Sequence, residues 1–439
     1  MQEFYKRWWL VLLLIVCGVA CAARGGMLAL HGRQLLEDRD GYVDIGYHLA
    51  RNGTFATGFP PRPTAYRPLL FPLLVAAVFW FHGSYWHLGI IHVVLGTITV
   101  GLTFRVGQLL KLGWAGAIAA GLVAIDPLLL QSTVLAMTET LCATLVIAWC
   151  WVLLEFPSQT EGDKGHRIWA ALLHGACFGL ICLCRPGFLA AVGLLSVWAM
   201  VAVARNWRSS VTKSELRSQL IVGLWSLVGL ACVLTPWVVR NAIVIGKATP
   251  ATTHGGYTLL LANNPVFYHE VVAQPWGTVW QGDSLNEWQT RLEMQMRSAG
   301  IGRNDEVSRD RWMYRRAWSH IRAEPALFLR ACVWRGLRFW DLAPWRLPAG
   351  YSILLMWGTA IFYGVVTCGM LAGLVRLSAV EWRTWSLLLL LPLTLWLTHL
   401  VYWTDMRMRA PVIPILALLA ARAVRSSVQE TPLNGPVTS

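Results

Sequence analysis

Apolar runs of about twenty residues recur along the whole chain and are separated by short polar connections. An α-helix needs about 20 apolar residues to cross the hydrocarbon core of a bilayer, whereas barrel strands alternate apolar and polar residues. The pattern therefore predicts an all-α polytopic membrane protein with about ten transmembrane helices. The predicted spans are residues 8–30, 86–110, 114–131, 135–155, 169–184, 186–204, 218–240, 351–375, 384–403 and 410–425.

Two apolar stretches need a separate interpretation. The run Pro68–His82 is short and has prolines at positions 68 and 72, which favours a re-entrant or interfacial helix over a full span. The first span follows Lys6-Arg7 and ends near Cys21-Ala22-Ala23, a pattern that a secretory signal peptide also shows. We interpret it as an uncleaved anchor, because the remaining topology then closes consistently.

Composition agrees with a membrane protein and excludes several other classes. Only 14% of the residues are charged and 56% are hydrophobic, whereas an average soluble domain carries about 25% charged residues. The net charge is +14, but no compact basic soluble domain is apparent, which argues against a nucleic-acid partner. The ten cysteines form no CxxC pair and no metal-ligand spacing, so we predict neither a disulfide framework nor a metal site.

Short-loop lysines and arginines predict the orientation of the bundle. With the N-terminus inside, every inner connection is basic, as the positive-inside tendency requires. Two segments then lie outside: residues 31–67, called here the first loop, and residues 241–350, called the long segment. The arginines and aromatic residues between Arg309 and Arg346 predict amphipathic helices in the membrane interface. The predicted divisions are 1–240, 241–350, 351–425 and a cytoplasmic tail, 426–439.

The first loop concentrates carboxylates in a chain that has few charges. Asp38, Asp40 and Asp44 lie within seven positions, close to Arg39 and Tyr42. A carboxylate at a membrane mouth is typical of a general base toward an acceptor hydroxyl. The alternative is a solvated acidic loop paired with its own arginines. The tripeptide Asp38-Arg39-Asp40 also matches the DxD pattern of metal and nucleotide-sugar sites, but no nucleotide-binding fold accompanies it.

Basic residues from distant parts of the chain are predicted to meet these acids. Arg67 stands where the chain re-enters the bilayer, and a cation there binds a lipid phosphate or only snorkels toward water. Asp126 and Glu139 lie at the outer ends of spans, where an ionisable residue is a functional candidate and helix capping is the alternative. Further candidates at span ends are Arg185-Pro186, Arg240-Asn241, and Arg407 with Arg409, and Asn263-Asn264 follows within the long segment.

In their order, these motifs resemble the GT-C superfamily of integral membrane glycosyltransferases. The resemblance covers nearly the whole chain and is greatest to bacterial relatives of the protein O-mannosyltransferases and the lipid A aminoarabinose transferase. Asp38-x-x-x-Tyr42 resembles the family's first-loop element, and Thr64-Ala65-Tyr66-Arg67-Pro68 with Pro72 resembles its basic-proline segment. The remaining matches are Thr138-Glu139, Arg185-Pro186, Pro236-Trp237 with Arg240-Asn241, Asn263-Asn264, and Arg407-x-Arg409-x-Pro411 with Pro414.

The resemblance implies transfer of a sugar from a polyprenyl-phosphate donor to an acceptor hydroxyl, with inversion, on the periplasmic face of a bacterial inner membrane. The family often has a second acid directly after the first-loop aspartate, but Arg39 takes that position here. The base therefore remains open between Asp38, Asp40 and Asp44, with Asp38 favoured by its spacing to Tyr42. Implied phosphate ligands are Arg67, Arg240, Arg407 and Arg409, and implied cavity or acceptor residues are Tyr42, Tyr66, Glu139, Asn263 and Asn264.

No cofactor and no metal is required by this scheme, and the partners are a lipid-linked donor, membrane lipids, and a glycolipid, polysaccharide or protein acceptor. One alternative is a transporter or flippase of an anionic lipid, in which Asp38, Asp126 and Glu139 would be coupling groups. Transporters often show inverted repeats, and none is evident here. A second alternative is a non-catalytic protein of the same fold, which the altered first-loop acids would explain.

Overall fold

The computed structural model describes residues 2–156, 164–208, 213–345 and 352–425. The N-terminal part contains the helices α1 (Gln2–His31), α2 (Tyr42–Asn52), α3 (Leu70–Trp80), α4 (Tyr85–Leu109), α5 (Ala115–Ile125), α6 (Pro127–Ser132), α7 (Glu139–Glu155), α8 (Lys164–Cys184), α9 (Leu189–Arg208) and α10 (Lys213–Val244). The C-terminal part contains α11 (Gly255–Ala262), α12 (Pro265–Phe267), α13 (Asp283–Ser298), α14 (Glu306–Ala323), α15 (Pro325–Phe339), α16 (Ile353–Val375), α17 (Ala379–Val401) and α18 (Ile413–Arg422). The predicted all-α membrane architecture is confirmed.

Six of the described helices are long and apolar enough to cross a membrane: α1, α4, α8, α10, α16 and α17. The first loop adds a two-residue antiparallel ribbon, β1 (Ala56–Thr57) paired with β2 (Arg62–Pro63). Helix α3 has 11 residues and is therefore about 16 Å long, roughly half the hydrocarbon thickness. This length agrees with the predicted re-entrant or interfacial helix. The predicted tail, 426–439, lies outside the described residues.

The predicted span 114–131 is not one helix. Asp126 has φ −59° and ψ 123°, which ends α5, and Pro127 then begins α6. A residue before proline is pushed out of the helical region, and proline is tolerated at the first position of a helix. Asp126 caps α6 by accepting the backbone N–H of Leu129 at 3.0 Å, and it also accepts the hydroxyl of Tyr363 at 2.9 Å. Capping therefore accounts for this membrane-depth acid.

The bundle and the loops have separate hydrophobic cores. The largest core joins α1, α4, α5, α7, α17 and α18, and α8 packs closely on α10. The approach of α8 to α10 depends on small residues, because a Cβ atom on Gly175 or Gly229 would collide with the backbone of the other helix. A second, aromatic core lies within the long segment and includes Tyr268, Phe267 and Trp334.

The first loop and the long segment meet at one end of the bundle. The carboxylate of Glu306 accepts the hydroxyl of Thr64 at 2.7 Å and the backbone N–H of Ala65 at 2.8 Å. The guanidinium of Arg240, on α10, donates to the carbonyl oxygen of Thr64 at 2.6 Å. These bonds bring the acids of the first loop and the helices of the long segment to the same end, as the predicted topology requires. The predicted interfacial helices correspond to α14 and α15, and Arg346 lies outside the described residues.

Candidate active site

The three acids of the first loop have different partners. Asp38 caps α2, since its two carboxylate oxygens accept the backbone N–H groups of Val43 at 3.0 Å and Asp44 at 2.8 Å. Asp44 fixes the ribbon by accepting the Thr57 hydroxyl at 2.5 Å and the Gly58 N–H at 3.0 Å. Both carboxylates therefore hold the loop in its conformation.

Asp40 instead faces a cation. Its Oδ1 lies 3.0 Å from Nη2 of Arg67, and its backbone carbonyl accepts Nε of the same guanidinium at 2.6 Å. The turn that directs this carboxylate away from the α2 cap passes through Gly41, whose φ of +74° is a left-handed conformation that favours glycine. The Asp40 side chain keeps 32% of its surface exposed, so a substrate hydroxyl can reach it.

Aromatic rings surround the Arg67 guanidinium. It lies 4.7 Å from the Tyr66 ring centre and 5.3 Å from that of Tyr42, distances at which a cation is attracted to an aromatic face. Burial raises the pKa of Tyr42 above its ordinary value, so its phenol stays neutral. The ring of Tyr66 packs on His254, and burial together with the Arg67 charge lowers the pKa of that imidazole to about 3.

A pair of guanidiniums lies around Glu139, the first residue of α7. The Oε1 atom of Glu139 is 3.6 Å from Nε of Arg407 and 3.9 Å from Nη1 of Arg185. Both guanidiniums donate to thioether sulfurs: Arg407 to Met137 at 2.8 Å and Arg185 to Met408 at 2.7 Å. Among the described residues these sulfurs are their hydrogen-bond acceptors, and a thioether is a weak acceptor. These two cations therefore lack a strong hydrogen-bond acceptor among the described residues.

The group around Arg67 and the group around Glu139 interact electrostatically. Burial works against the charged form of Arg407, but Glu139, Asp405 and Asp40, in that order, raise the pKa of its guanidinium above the ordinary value. Tyr42 in turn feels the charges of both groups. Asp40 and Glu139, 99 positions apart in the sequence, thus both act on Arg407.

The other predicted site residues make hydrogen bonds to backbone groups of the protein. Arg240 also donates to the carbonyl of Phe55 at 2.9 Å, and Arg409 donates to the carbonyl of Phe339 at 2.9 Å. Asn263 is fully buried and donates to the carbonyls of Leu259 and Val401, both at 2.8 Å. Asn264 caps α12 by accepting the N–H of Phe267 at 2.9 Å. Arg240, Asn263 and Asn264 therefore have partners within the protein, whereas Nη2 of Arg409 has no hydrogen-bond partner among the described residues.

The structure thus brings Asp40, Tyr42, Tyr66, Arg67, Glu139 and Arg407 together, and it adds Arg185, which the sequence marked as a candidate at a span end but not as a phosphate ligand. The signal for Arg185 was an arginine placed between two apolar spans and followed by proline. Arg409 instead lines a narrow apolar cavity of only about 20 Å³ between α16 and α18, with Asp126 and Tyr363 at its polar end. Within the described residues, no group of three or more His, Cys, Asp or Glu side chains could hold a metal ion.

No family model and no curated protein matches this sequence. Solved structures do match. The archaeal oligosaccharyltransferase AglB from Archaeoglobus fulgidus, in complex with an inhibitory peptide and a dolichol-phosphate, gives a TM-score of 0.55 at 14% identity over 95% of this chain and 50% of that chain. The A. fulgidus oligosaccharyltransferase tethered to an acceptor peptide containing the NVT sequon gives 0.51 at 14% identity over 96% and 50%.

ArnT from Cupriavidus metallidurans bound to undecaprenyl phosphate gives a TM-score of 0.44 at 16% identity, over 95% of this chain and 78% of that chain. The chain spans about half the length of the oligosaccharyltransferases that it matches. At these identities the similarity establishes the arrangement of helices, and the oligosaccharyltransferases are GT-C proteins. The chain therefore shares the helical fold of these oligosaccharyltransferases, the fold that its motif order predicted.

Proposed function

We propose that this protein transfers a sugar from a polyprenyl-phosphate donor to an acceptor hydroxyl on the non-cytoplasmic face of the inner membrane. One observation supports this function best: among the described residues, the guanidiniums of Arg185 and Arg407 donate hydrogen bonds only to weak thioether acceptors, and the carboxylate of Asp40 acts electrostatically on Arg407. Such a site offers both a phosphate ligand and a base. The GT-C fold of the chain agrees with this reaction class.

Arg185 and Arg407 would bind the donor phosphate. Arginine presents a planar fork of donors that matches phosphate oxygens, and charge-assisted hydrogen bonds are about twice as strong as neutral ones. The N-terminus of the 17-residue helix α7, at Glu139, adds the positive end of a helix dipole. The dolichol-phosphate in the AglB structure is a lipid phosphate of this class. The cations would also stabilise the negative charge that develops on the leaving phosphate.

Asp40 would be the general base. Asp38 and Asp44 have their carboxylates bound to backbone N–H groups, whereas Asp40 accepts one guanidinium bond and keeps its second oxygen for a substrate. Arg67 orients that carboxylate by binding it and the adjacent carbonyl. The base takes the proton of the acceptor hydroxyl as its oxygen attacks the anomeric carbon, and the lipid phosphate leaves from the opposite face. A single displacement of this kind inverts the anomeric configuration.

Incubation of the purified protein in detergent with a radiolabelled polyprenyl-phosphate sugar tests this function. We expect sugar transfer, or slow hydrolysis of the donor when no acceptor is present, without any sealed vesicle. Activity that appears only across sealed vesicles would support a transporter instead. A double variant, Arg185→Gln with Arg407→Gln, should lose the reaction. The matched control is Arg105→Gln, because Arg105 pairs with Glu155 at the other end of α7 from Glu139. Equal loss in both would contradict the phosphate site.

A further inference from the structure

Glu139 occupies the position between two guanidiniums without making a hydrogen bond to either. Its distances to Arg407 and Arg185 are 3.6 Å and 3.9 Å, and its side chain is 5% exposed. Within the described part of the chain, Oε2 of Glu139 and Nη1 of Arg185 have no hydrogen-bond partner. Buried polar atoms are nearly always hydrogen-bonded, so such unmet atoms call for an explanation.

Glu381 is an acid with a structural role, and its contacts differ from those of Glu139. Glu381 accepts two guanidinium bonds from Arg422, at 2.9 Å and 3.0 Å, and one from Arg425 at 2.8 Å. It also accepts the backbone N–H of Ser378 at 3.0 Å. Glu139 compensates the charge of its arginines but is not fixed by them. Its carboxylate can therefore yield to another anion at low cost.

The proposed reaction changes the charge that these arginines bind. The donor is a phosphodiester with one negative charge, whereas the released carrier is a phosphomonoester with about 1.5 to 2 negative charges at pH 7. Two fixed guanidiniums alone would hold the product more tightly than the donor. Release of the carrier would then limit turnover, and accumulated carrier would inhibit the enzyme.

Resting on the proposed function, we propose that Glu139 is a specificity-determining carboxylate that reduces the preference of the two arginines for the doubly charged product over the singly charged donor. Coulomb repulsion is proportional to charge, so Glu139 opposes the phosphomonoester about twice as strongly as the phosphodiester. When the phosphate enters, its oxygens replace the thioethers and Glu139 withdraws from the guanidiniums. After transfer, the returning carboxylate expels the carrier. Glu139 is thus a positioning group for release and takes no part in the proton transfer.

Affinities of purified variants in detergent test this inference. The ligands are undecaprenyl phosphate and its methyl diester, which carry the charges of product and donor. We expect Glu139→Gln to bind the monoester at least about tenfold more tightly than wild type and the diester only about threefold more tightly, because one of the charges near the phosphate is removed. Steady-state turnover should fall through product inhibition, while the first turnover stays fast.

Two further variants serve as controls. Glu139→Asp keeps the charge and should keep the wild-type ratio of the two affinities, and Glu155→Gln, on the same helix but paired with Arg105, should change nothing. Glu139→Met also removes the charge, but with an apolar side chain, and should give the same result as Glu139→Gln. This second neutral variant keeps the test possible if one of the two does not fold. An unchanged affinity ratio in both neutral variants, or weaker monoester binding, would overturn the inference.

The two proposals fail in different ways. If wild-type protein does not bind undecaprenyl phosphate, or if binding is insensitive to Arg185→Gln and Arg407→Gln, then the proposed donor site is wrong. If binding depends on both arginines but the neutral Glu139 variants leave the affinity ratio unchanged, only the role of Glu139 is wrong.

Discussion

The contribution of Arg407 to donor binding can be predicted from the structure. Replacement of Arg407 by glutamine removes a charge that has Glu139 at 3.6 Å and a thioether sulfur at 2.8 Å as its partners. A phosphate that replaces the sulfur would lie about 4 Å from the guanidinium centre, where two unit charges attract by about 4 kcal/mol at an effective dielectric constant near 20. Because the side chain is 29% exposed, solvent screening reduces this to about 2 kcal/mol. The expected loss is therefore about 30-fold in Kd.

Titration of the purified variant with undecaprenyl phosphate in detergent measures this loss directly, and kcat/KM for the lipid-linked donor should fall by at least as much. Arg105→Gln is the matched control, since Arg105 binds Glu155 at 2.8 Å and is 46% exposed. We expect the control to stay within about threefold of wild type, as an exposed pair contributes about 0–1 kcal/mol. An Arg407→Gln protein that also stays within about threefold would refute the phosphate role.

Three further predictions concern the framework of the site. Asp38→Ala should lower the melting temperature, because α2 loses two capping bonds at a cost of about 1–2 kcal/mol, and denaturant unfolding can measure it. Arg240→Met should destabilise the protein by about 2–3 kcal/mol, since two buried carbonyls lose a charged donor, but should leave the Kd for lipid phosphate unchanged. Burial raises the pKa of Asp341 to about 7, against the opposing charge of Arg338. The folded-state pKa lies above the unfolded value, so the stability linked to Asp341 is complete below about pH 4 and is lost as the pH rises through about 7. Melting curves from pH 4 to 8 should show this decline in wild type and a flatter profile in Asp341→Asn.

The helices were largely predictable from the sequence, because apolar runs of span length follow directly from the thickness of a bilayer. The exception is instructive. The run 114–131 has uninterrupted apolar character except at Asp126 and Gln131, and only the Asp126-Pro127 pair indicates that the helix stops there. Hydropathy does not report a break of this kind, whereas the restriction that proline places on its predecessor does.

The choice among the first-loop acids could not be made from spacing. Asp38, Asp40 and Asp44 all lie near Tyr42 in the sequence, and the match to a family pattern favoured Asp38. Which carboxylate faces the cations depends on the left-handed turn at Gly41 and on which acid caps α2. Both are local conformational facts that a sequence spacing does not determine. The structure supports Asp40 by its contacts.

The arginines pose the same problem on a larger scale. Arg240, Arg407 and Arg409 all lie at the ends of apolar spans, and their sequence surroundings are alike. Only the identity of the acceptor separates them: Arg240 and Arg409 donate to carbonyl oxygens, whereas Arg407 donates to a thioether. Arg185 joins Arg407 because a hairpin and a short helical turn bring residues 222 positions apart into contact with Glu139.

The most direct test of the account compares Asp40→Asn with wild type in two measurements on the same preparation. We predict that single-turnover sugar transfer falls by at least about 10²-fold, the contribution of a general base, while binding of undecaprenyl phosphate stays within about threefold of wild type. An Asp40→Asn protein that transfers sugar at the wild-type rate, while Asp38→Asn does not, would contradict the assignment of the base.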